Sequence, residues 1–235
     1  MTPSQRSQIA EGLRLSFPVM LGYLPVGFAF GILAVQAGMT PLTAGLMSYV
    51  VYAGSAQLIA VGLIGAGVGA ASIILTTFVV NLRHLLMSAA VAPHLRDWSR
   101  PKQAWFAYEM TDETFAVHMS RFAKGPAGPA SVLALNTSAH LCWTISGVAG
   151  ALFGDLIGDI KPYGLDFALP GMFIALLLPH VRVPRKTLAL ALGGLFSITA
   201  YLLGAGQWSV MLATPAAAGI AAFAPLPKAG GGEAA

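Results

Sequence analysis

The 235-residue chain is 56% hydrophobic and only 9% charged, with a mean hydropathy of +0.73. A soluble globular domain carries about 25% charged residues, so the composition excludes a water-soluble domain and points to an integral membrane protein. The net charge of +4 is scattered and carries no nucleic-acid footprint, and the single cysteine, Cys142, leaves no disulfide framework or Cys-based metal site within one chain.

The N-terminal residues Arg6, Glu11 and Arg14 lead straight into an apolar stretch, without the small-residue cleavage site of a secretory signal. A helix needs roughly 20 mainly apolar residues to cross a bilayer core. Stretches of that kind lie at Phe17–Val35, Leu42–Ile64, Ala70–Ala92, Ser131–Phe153, Phe167–Val181, Thr187–Gly204 and Trp208–Phe223. The expected fold is therefore all-α, a polytopic membrane helix bundle of about seven spans forming one domain over 1–227. The terminal KAGGGEAA, 228–235, is expected to be a flexible tail.

In the first stretch, LGYLPVGFAFG contains Pro25, which removes a backbone donor, and Gly27 and Gly31, which form a GxxxG packing face. In the second, YVVYAGSAQLIAV sets Gly54, Ser55 and Gln57 within an apolar run. These residues either unwind the helix into a polar site or pack a neighbouring helix closely.

The third stretch, TTFVVNLRHLLMS, holds the first cation after Arg14. In one regular helix Thr77, Asn81, His84 and Ser88 form a single polar stripe, while Arg83 points roughly 130° away. Either the helix breaks near Asn81, or Arg83 faces a separate partner. An arginine near the centre of a span costs at least about 2.5–3.5 kcal/mol on insertion scales. It therefore requires a counter-charge, a helix break or an anionic ligand.

Between the third and fourth stretches, Tyr108, Phe115, Met119 and Phe122 share one helical face and Glu109 and Glu113 the other. The segment either lies on the membrane surface or inserts against the bundle, bringing Asp112 and Glu113 to a transport path. His140 in the fourth stretch shares a face with Asn136, and as a histidine it is a candidate for proton coupling.

Lys and Arg concentrate in cytoplasmic loops. HLRDWSRPK (His94–Lys102), SRFAKG (Ser120–Gly125) and HVRVPRK (His180–Lys186) read as internal, and Asp155–Asp166, with three Asp and one Lys, as external. Seven full crossings then place the N-terminus outside and the C-terminus inside. An internal N-terminus instead requires one of the first three stretches to be re-entrant. A weak internal repeat is visible in PHLRDWSRPK against PHVRVPRK and in LPVG against LPG. Paired Pro/Gly interruptions of this kind mark transporter sites built from broken helices.

Taken in order, GYLPVGFAFG, YAGSAQ, VVNLRHLLMS and MTDETFA resemble the AzlC family, the large subunits of branched-chain amino-acid permeases. The likeness is strongest over Leu21–Ala116. It implies a multi-span bacterial inner-membrane protein that exports branched-chain amino acids with a small AzlD-like membrane subunit. Membrane lipid and a second copy of the chain are further conceivable partners. No phosphate loop is present and no cofactor is called for, so a secondary, non-enzymatic transport mechanism is expected. Its substrate site would draw on Pro25, Gly27, Gly54, Ser55, Gln57, Asn81 and His84. Arg83, Asp112, Glu113 and His140 would serve coupling or architecture. Two rival classes remain: an assembly subunit that transports nothing, and an intramembrane hydrolase using Ser55 with His84 or His140.

Overall fold

The computed structural model describes residues 3–157, 184–205 and 209–225, together with Pro162, Gly164, Phe167, Gly171 and Ile174. Among them every regular element is helical. They are α1 (Pro3–Gln36), α2 (Pro41–Val50), α3 (Gly54–Gly65), α4 (Ala70–Val91), α5 (Arg100–Tyr108), α6 (Asp112–Phe122), α7 (Pro129–Ile157), α8 (Pro184–Ala200) and α9 (Ser209–Phe223). The chain divides into two compact units, Met1–Leu169 and Pro170–Ala235.

In the first unit α1 and α7 lie side by side and run in the same direction. Ser16 meets Ser138 with their hydroxyl oxygens 2.6 Å apart, the Cys142 thiol points at the Met20 carbonyl at 3.5 Å, and Ser146 Oγ donates to the Tyr23 carbonyl at 3.4 Å. Positions rise together along both helices. Gly31 lies directly against the backbone at Gly147 and Gly150, so a side chain there has no room. This is the close small-residue approach expected of the Gly27/Gly31 face. α1 runs unbroken through Pro18 and Pro25, and Pro25 is exposed. The break expected there does not occur: in apolar surroundings one lost helical bond costs less than unwinding a backbone that has no other partners.

The second apolar stretch is two half-helices. α2 descends along α7, with Ser48 beside Gly147 and the Tyr49 carbonyl at His140. The chain turns at Val51–Ala53, where Tyr52 takes a left-handed φ of 39°, a rare and strained conformation for a bulky aromatic. α3 then begins with Gly54 against the Trp143 ring and returns until Gly65 reaches Ala37, just beyond the end of α1. Both ends of the hairpin thus lie at the same end of α1. Local chemistry fits each start. Thr40 caps α2 ahead of Pro41, and Gln57 Oε1 accepts the Ala53 N–H at 3.1 Å, which satisfies a backbone group that the turn would leave orphaned.

α4 is continuous through Asn81 and continues into a 3-10 turn, Ala92–Leu95. Its far end packs Met87 and Val91 with Phe106, Phe122 and Val132. α5 and α6 form a second hairpin, which enters from the opposite end. Gln103 donates to the Leu95 and Trp98 carbonyls, and the chain turns at Glu109–Thr111. A capping box of Thr111 and Thr114 then starts α6, which runs back until Arg121 pairs with Glu11 at 2.8 Å. The single amphipathic surface helix therefore does not form: Glu109, placed on the polar face by periodicity, is 1% exposed.

Because α1 and α7 are parallel, only α4 crosses fully between them. The second apolar stretch is therefore re-entrant and not a single full crossing. Among the described residues, three helical stretches are long and apolar enough to span a membrane, Gln5–Gln36, Ala70–Leu95 and Pro184–Ala205. The outward face of α4 is bare hydrocarbon, with Ile74, Phe78, Leu82, Leu85 and Leu86 exposed, as lipid or a membrane partner requires.

In the second unit α8 packs against α9. α8 passes into a π-turn at Tyr201–Ala205, where Gly204 takes φ 88°. Most of the fifth apolar stretch, most of the acidic loop, part of the repeated HVRVPRK segment and the 228–235 tail lie outside the described residues.

Candidate functional site at two hairpin tips

The tips of the two hairpins meet midway along α1 and α7. Two clusters of polar side chains lie there. The first gathers around Arg83 on α4. One guanidinium nitrogen pairs with Asp112 Oδ2 of the α6 start at 2.7 Å, and another donates to Ser55 Oγ at the α3 start. Arg83 thus ties the tip of one hairpin to the tip of the other. It is 29% exposed and Asp112 25%. Next to the pair, Glu113 Oε2 accepts from Tyr23 Oη at 2.8 Å, and Tyr23 Oη also meets Thr111 Oγ1 at 2.6 Å.

Among the described residues, several buried polar atoms on α3 and α4 have no hydrogen-bond partner: Gln57 Nε2, Asn81 Oδ1, Arg83 Nε and His84 Nε2. Buried polar groups are rarely left so, and these four mix donors with an acceptor. The oxygen of the Gln57 amide is engaged, accepting from Trp143 Nε1 at 3.1 Å as well as from the Ala53 N–H.

The second cluster centres on Glu109 and His140. His140 Nδ1 faces Glu109 Oε1 at 3.3 Å, and Thr137 Oγ1 donates to Glu109 Oε2 at 2.9 Å. His140 Nε2 meets the Tyr49 carbonyl at 3.0 Å. The imidazole is sandwiched by aromatic rings, with Tyr52 at 4.0 Å and Tyr49 at 5.1 Å between centroids. Tyr108 Oη donates to the same Tyr49 carbonyl. Both members of the pair are at most 2% exposed.

The AzlC protein family profile matches residues 18–157, the part of the chain that builds both clusters. The chain belongs to the AzlC family. It is 26% identical to the branched-chain amino acid transport protein AzlC of Bacillus subtilis strain 168, with 92% of this chain and 87% of the relative covered. It is 27% identical to the inner membrane protein YgaZ of Escherichia coli K12, covering 88% and 83%. An uncharacterized membrane protein of Archaeoglobus fulgidus is 31% identical, covering 85% and 88%. No solved structure matches the chain.

Within this AzlC-family chain the residues singled out by sequence fall into three groups. Ser55, Gln57, Arg83, His84, Asp112 and Glu113 come together around the hairpin tips, with Gly54 at the first position of α3, and Asn81 lies two residues before Arg83 on α4 with its Oδ1 buried. Gly27 instead packs α1 against Ser146 and Trp143 of α7, and Pro25 faces outward. His140 belongs to the second cluster. The polar stripe on α4 divides. Thr77 returns its hydroxyl to the Ile73 and Ile74 carbonyls, and Ser88 lines a shallow cleft with Val91, Gln103 and Phe106. Arg83 and His84 both turn buried atoms inward from an unbroken helix, although they are about 100° apart. The helix is lined on two sides, by α3 and by α6.

A Ser55–His140 pair does not form. Ser55 Oγ is held by a guanidinium, and both nitrogens of His140 are engaged elsewhere. Sequence reasoning missed Glu109, Thr137 and Tyr23. The available signal was Glu109-Met110-Thr111-Asp112, where a Thr with acidic residues after it marks a helix start and so a turn at Glu109.

Proposed function

We propose that this chain is a secondary transporter of branched-chain amino acids, which binds its substrate between the hairpin tips beside Arg83. The observation that carries this reading is the set of buried, unpartnered polar atoms on α3 and α4 next to the start of a half-helix. A helix start presents N–H groups and a positive dipole end to an anion, and re-entrant half-helices use this to hold a substrate carboxylate. In this assignment the α-carboxylate takes Gln57 Nε2, Arg83 Nε and the N–H groups at Gly54 and Ser55. The α-ammonium takes Asn81 Oδ1 and the Asp112 side. The aliphatic side chain lies against apolar residues, where one methylene is worth only about 1–3 kcal/mol. Valine, leucine, isoleucine and methionine are therefore all accepted, with modest differences between them.

Export is the direction we assign, with the large-subunit role alongside a small AzlD-like membrane protein. The name of the Bacillus subtilis relative supports the substrate class, and the outward hydrocarbon face of α4 supplies a surface for such a subunit. Orientation follows from the parallel helices. Arg6, Arg14, Arg96, Arg100, Lys102 and Lys124 all belong to segments that the fold carries to one end of the first unit. By the positive-inside rule that end is cytoplasmic, and the N-terminus with it.

The test is efflux of radiolabelled valine from loaded cells producing the full chain with its small subunit. Gln57→Ala and Asn81→Ala each reduce efflux and shift its concentration dependence, while the protein remains in the membrane. Unchanged efflux in both variants would place the substrate elsewhere.

A further inference from the structure

We propose that Glu109 and His140 form the proton-carrying site of this transporter, exchanging one proton per cycle as the two hairpin tips part and rejoin. The inference rests on the transport reading above but on a different set of residues.

The hydrogen-bond chemistry of the pair determines its proton content. A backbone carbonyl only accepts, so His140 Nε2, 3.0 Å from the Tyr49 carbonyl, carries a hydrogen. Nδ1 then faces Glu109 Oε1 at 3.3 Å. One proton between them, on carboxyl or imidazole, completes this hydrogen bond. With that proton the pair is neutral overall. Losing it leaves a net negative charge, and gaining a second leaves a net positive one. Both are costly where the side chains are 1–2% exposed. Among the described residues no lysine or arginine forms an ion pair with Glu109 to hold it as a fixed carboxylate.

Position links this proton to movement. Glu109 is at the turn of the α5–α6 hairpin and Tyr49 in the last turn of α2, just before the α2–α3 turn, and His140 on α7 bonds to both. Water reaches the pair only when a tip moves, so exchange of the proton and separation of the tips occur together. The proton arrives from water on one side and leaves to water on the other, with no heavy-atom bond made or broken. The titratable groups around the pair are Tyr49 of α2, Tyr52 of the turn and Tyr108 of α5, by ring contact. Tyr23 of α1, Glu113 of α6 and Cys142 of α7 surround Tyr52. Arg83 and Asp112 belong to the neighbouring cluster. Thr137 holds the second carboxylate oxygen at 2.9 Å and acts as a positioning residue.

The experiment uses everted membrane vesicles from cells producing the full chain with its small subunit, and radiolabelled valine. Two readings are taken: valine–valine exchange without a gradient, and accumulation under an imposed pH gradient. The wild type is expected to do both. Glu109→Gln keeps exchange in the wild-type range and loses accumulation to the level of vesicles without the chain. His140→Gln does the same, and Glu109→Asp retains accumulation. Full accumulation in Glu109→Gln overturns the proposal. Joint loss of exchange and accumulation in that variant also overturns it, since Glu109 would then be structural. Wild-type exchange with accumulation indifferent to the pH gradient defeats the proton site and leaves transport standing. Absence of exchange for every branched-chain amino acid in the wild type defeats the transport reading itself.

Discussion

Two pairs of ionisable groups bridge the hairpin tips, and they do it differently. Arg83 and Asp112 meet at 2.7 Å with roughly a quarter of each side chain open. Glu109 and His140 meet at 3.3 Å with almost nothing open. A guanidinium cannot release its proton in a protein, so the first pair needs a compensating charge at all times and retains some access to water. An imidazole and a carboxyl can share a proton and become neutral together, which allows complete burial. The first is suited to holding a ligand charge and the second to moving a proton.

The sharpest way to break this comparison is to remove one member of the first pair at a time. Asp112→Asn leaves a permanent guanidinium without its counter-charge. Breaking a fully buried pair costs about 3–5 kcal/mol, and the remaining exposure here lowers that figure. Arg83→Met is milder, because the Asp112 carboxyl can take up a proton and so need not remain a buried, unpaired charge. Thermal unfolding in detergent at several pH values measures both effects, and an Arg83→Met less stable than Asp112→Asn near neutral pH contradicts the assignment.

A second change tests the frame on which both pairs are mounted. Gly31→Val drives a side chain into the α7 backbone at Gly147 and Gly150. Overpacking of this kind typically costs about 1–3 kcal/mol. Both pairs should suffer equally, which a fall in unfolding temperature together with loss of valine exchange would show.

The smallest effect is expected on the outer face of α4. Leu86 is 73% exposed, and an exposed substitution such as Leu86→Ala lies within about 0.5 kcal/mol of neutral. Unchanged unfolding with loss of a small membrane protein that co-purifies with the wild type would identify this face as the seat of the proposed subunit.

Much of this was legible in the sequence. The ends of α4 follow hydropathy closely, since a bilayer core requires about 20 apolar residues whatever surrounds them. The polar residues of YAGSAQ and NLRHLLMS were recognisable because each costs energy in hydrocarbon and so must have a use. Pro25 misled, because its effect on a helix depends on whether the helix can leave its path, and α1 stays helical through it while packed along α7. Glu109 misled for the opposite reason. Helical periodicity assumed one continuous helix across Ala104–Phe122, and the turn at Glu109–Thr111 rotated the carboxylate from the outer face into the core.

The sequence by itself determined a helical membrane protein, its family and the residue types on which its chemistry depends. Those follow from transfer free energies and local composition, which each segment carries alone. Only the tertiary structure decided that the second apolar stretch turns back, that a second hairpin meets it from the other end, and which acid pairs with which base. Hydropathy is the same for a span and for two half-helices. The choice between them belongs to the neighbours that accept the broken backbone and its polar side chains.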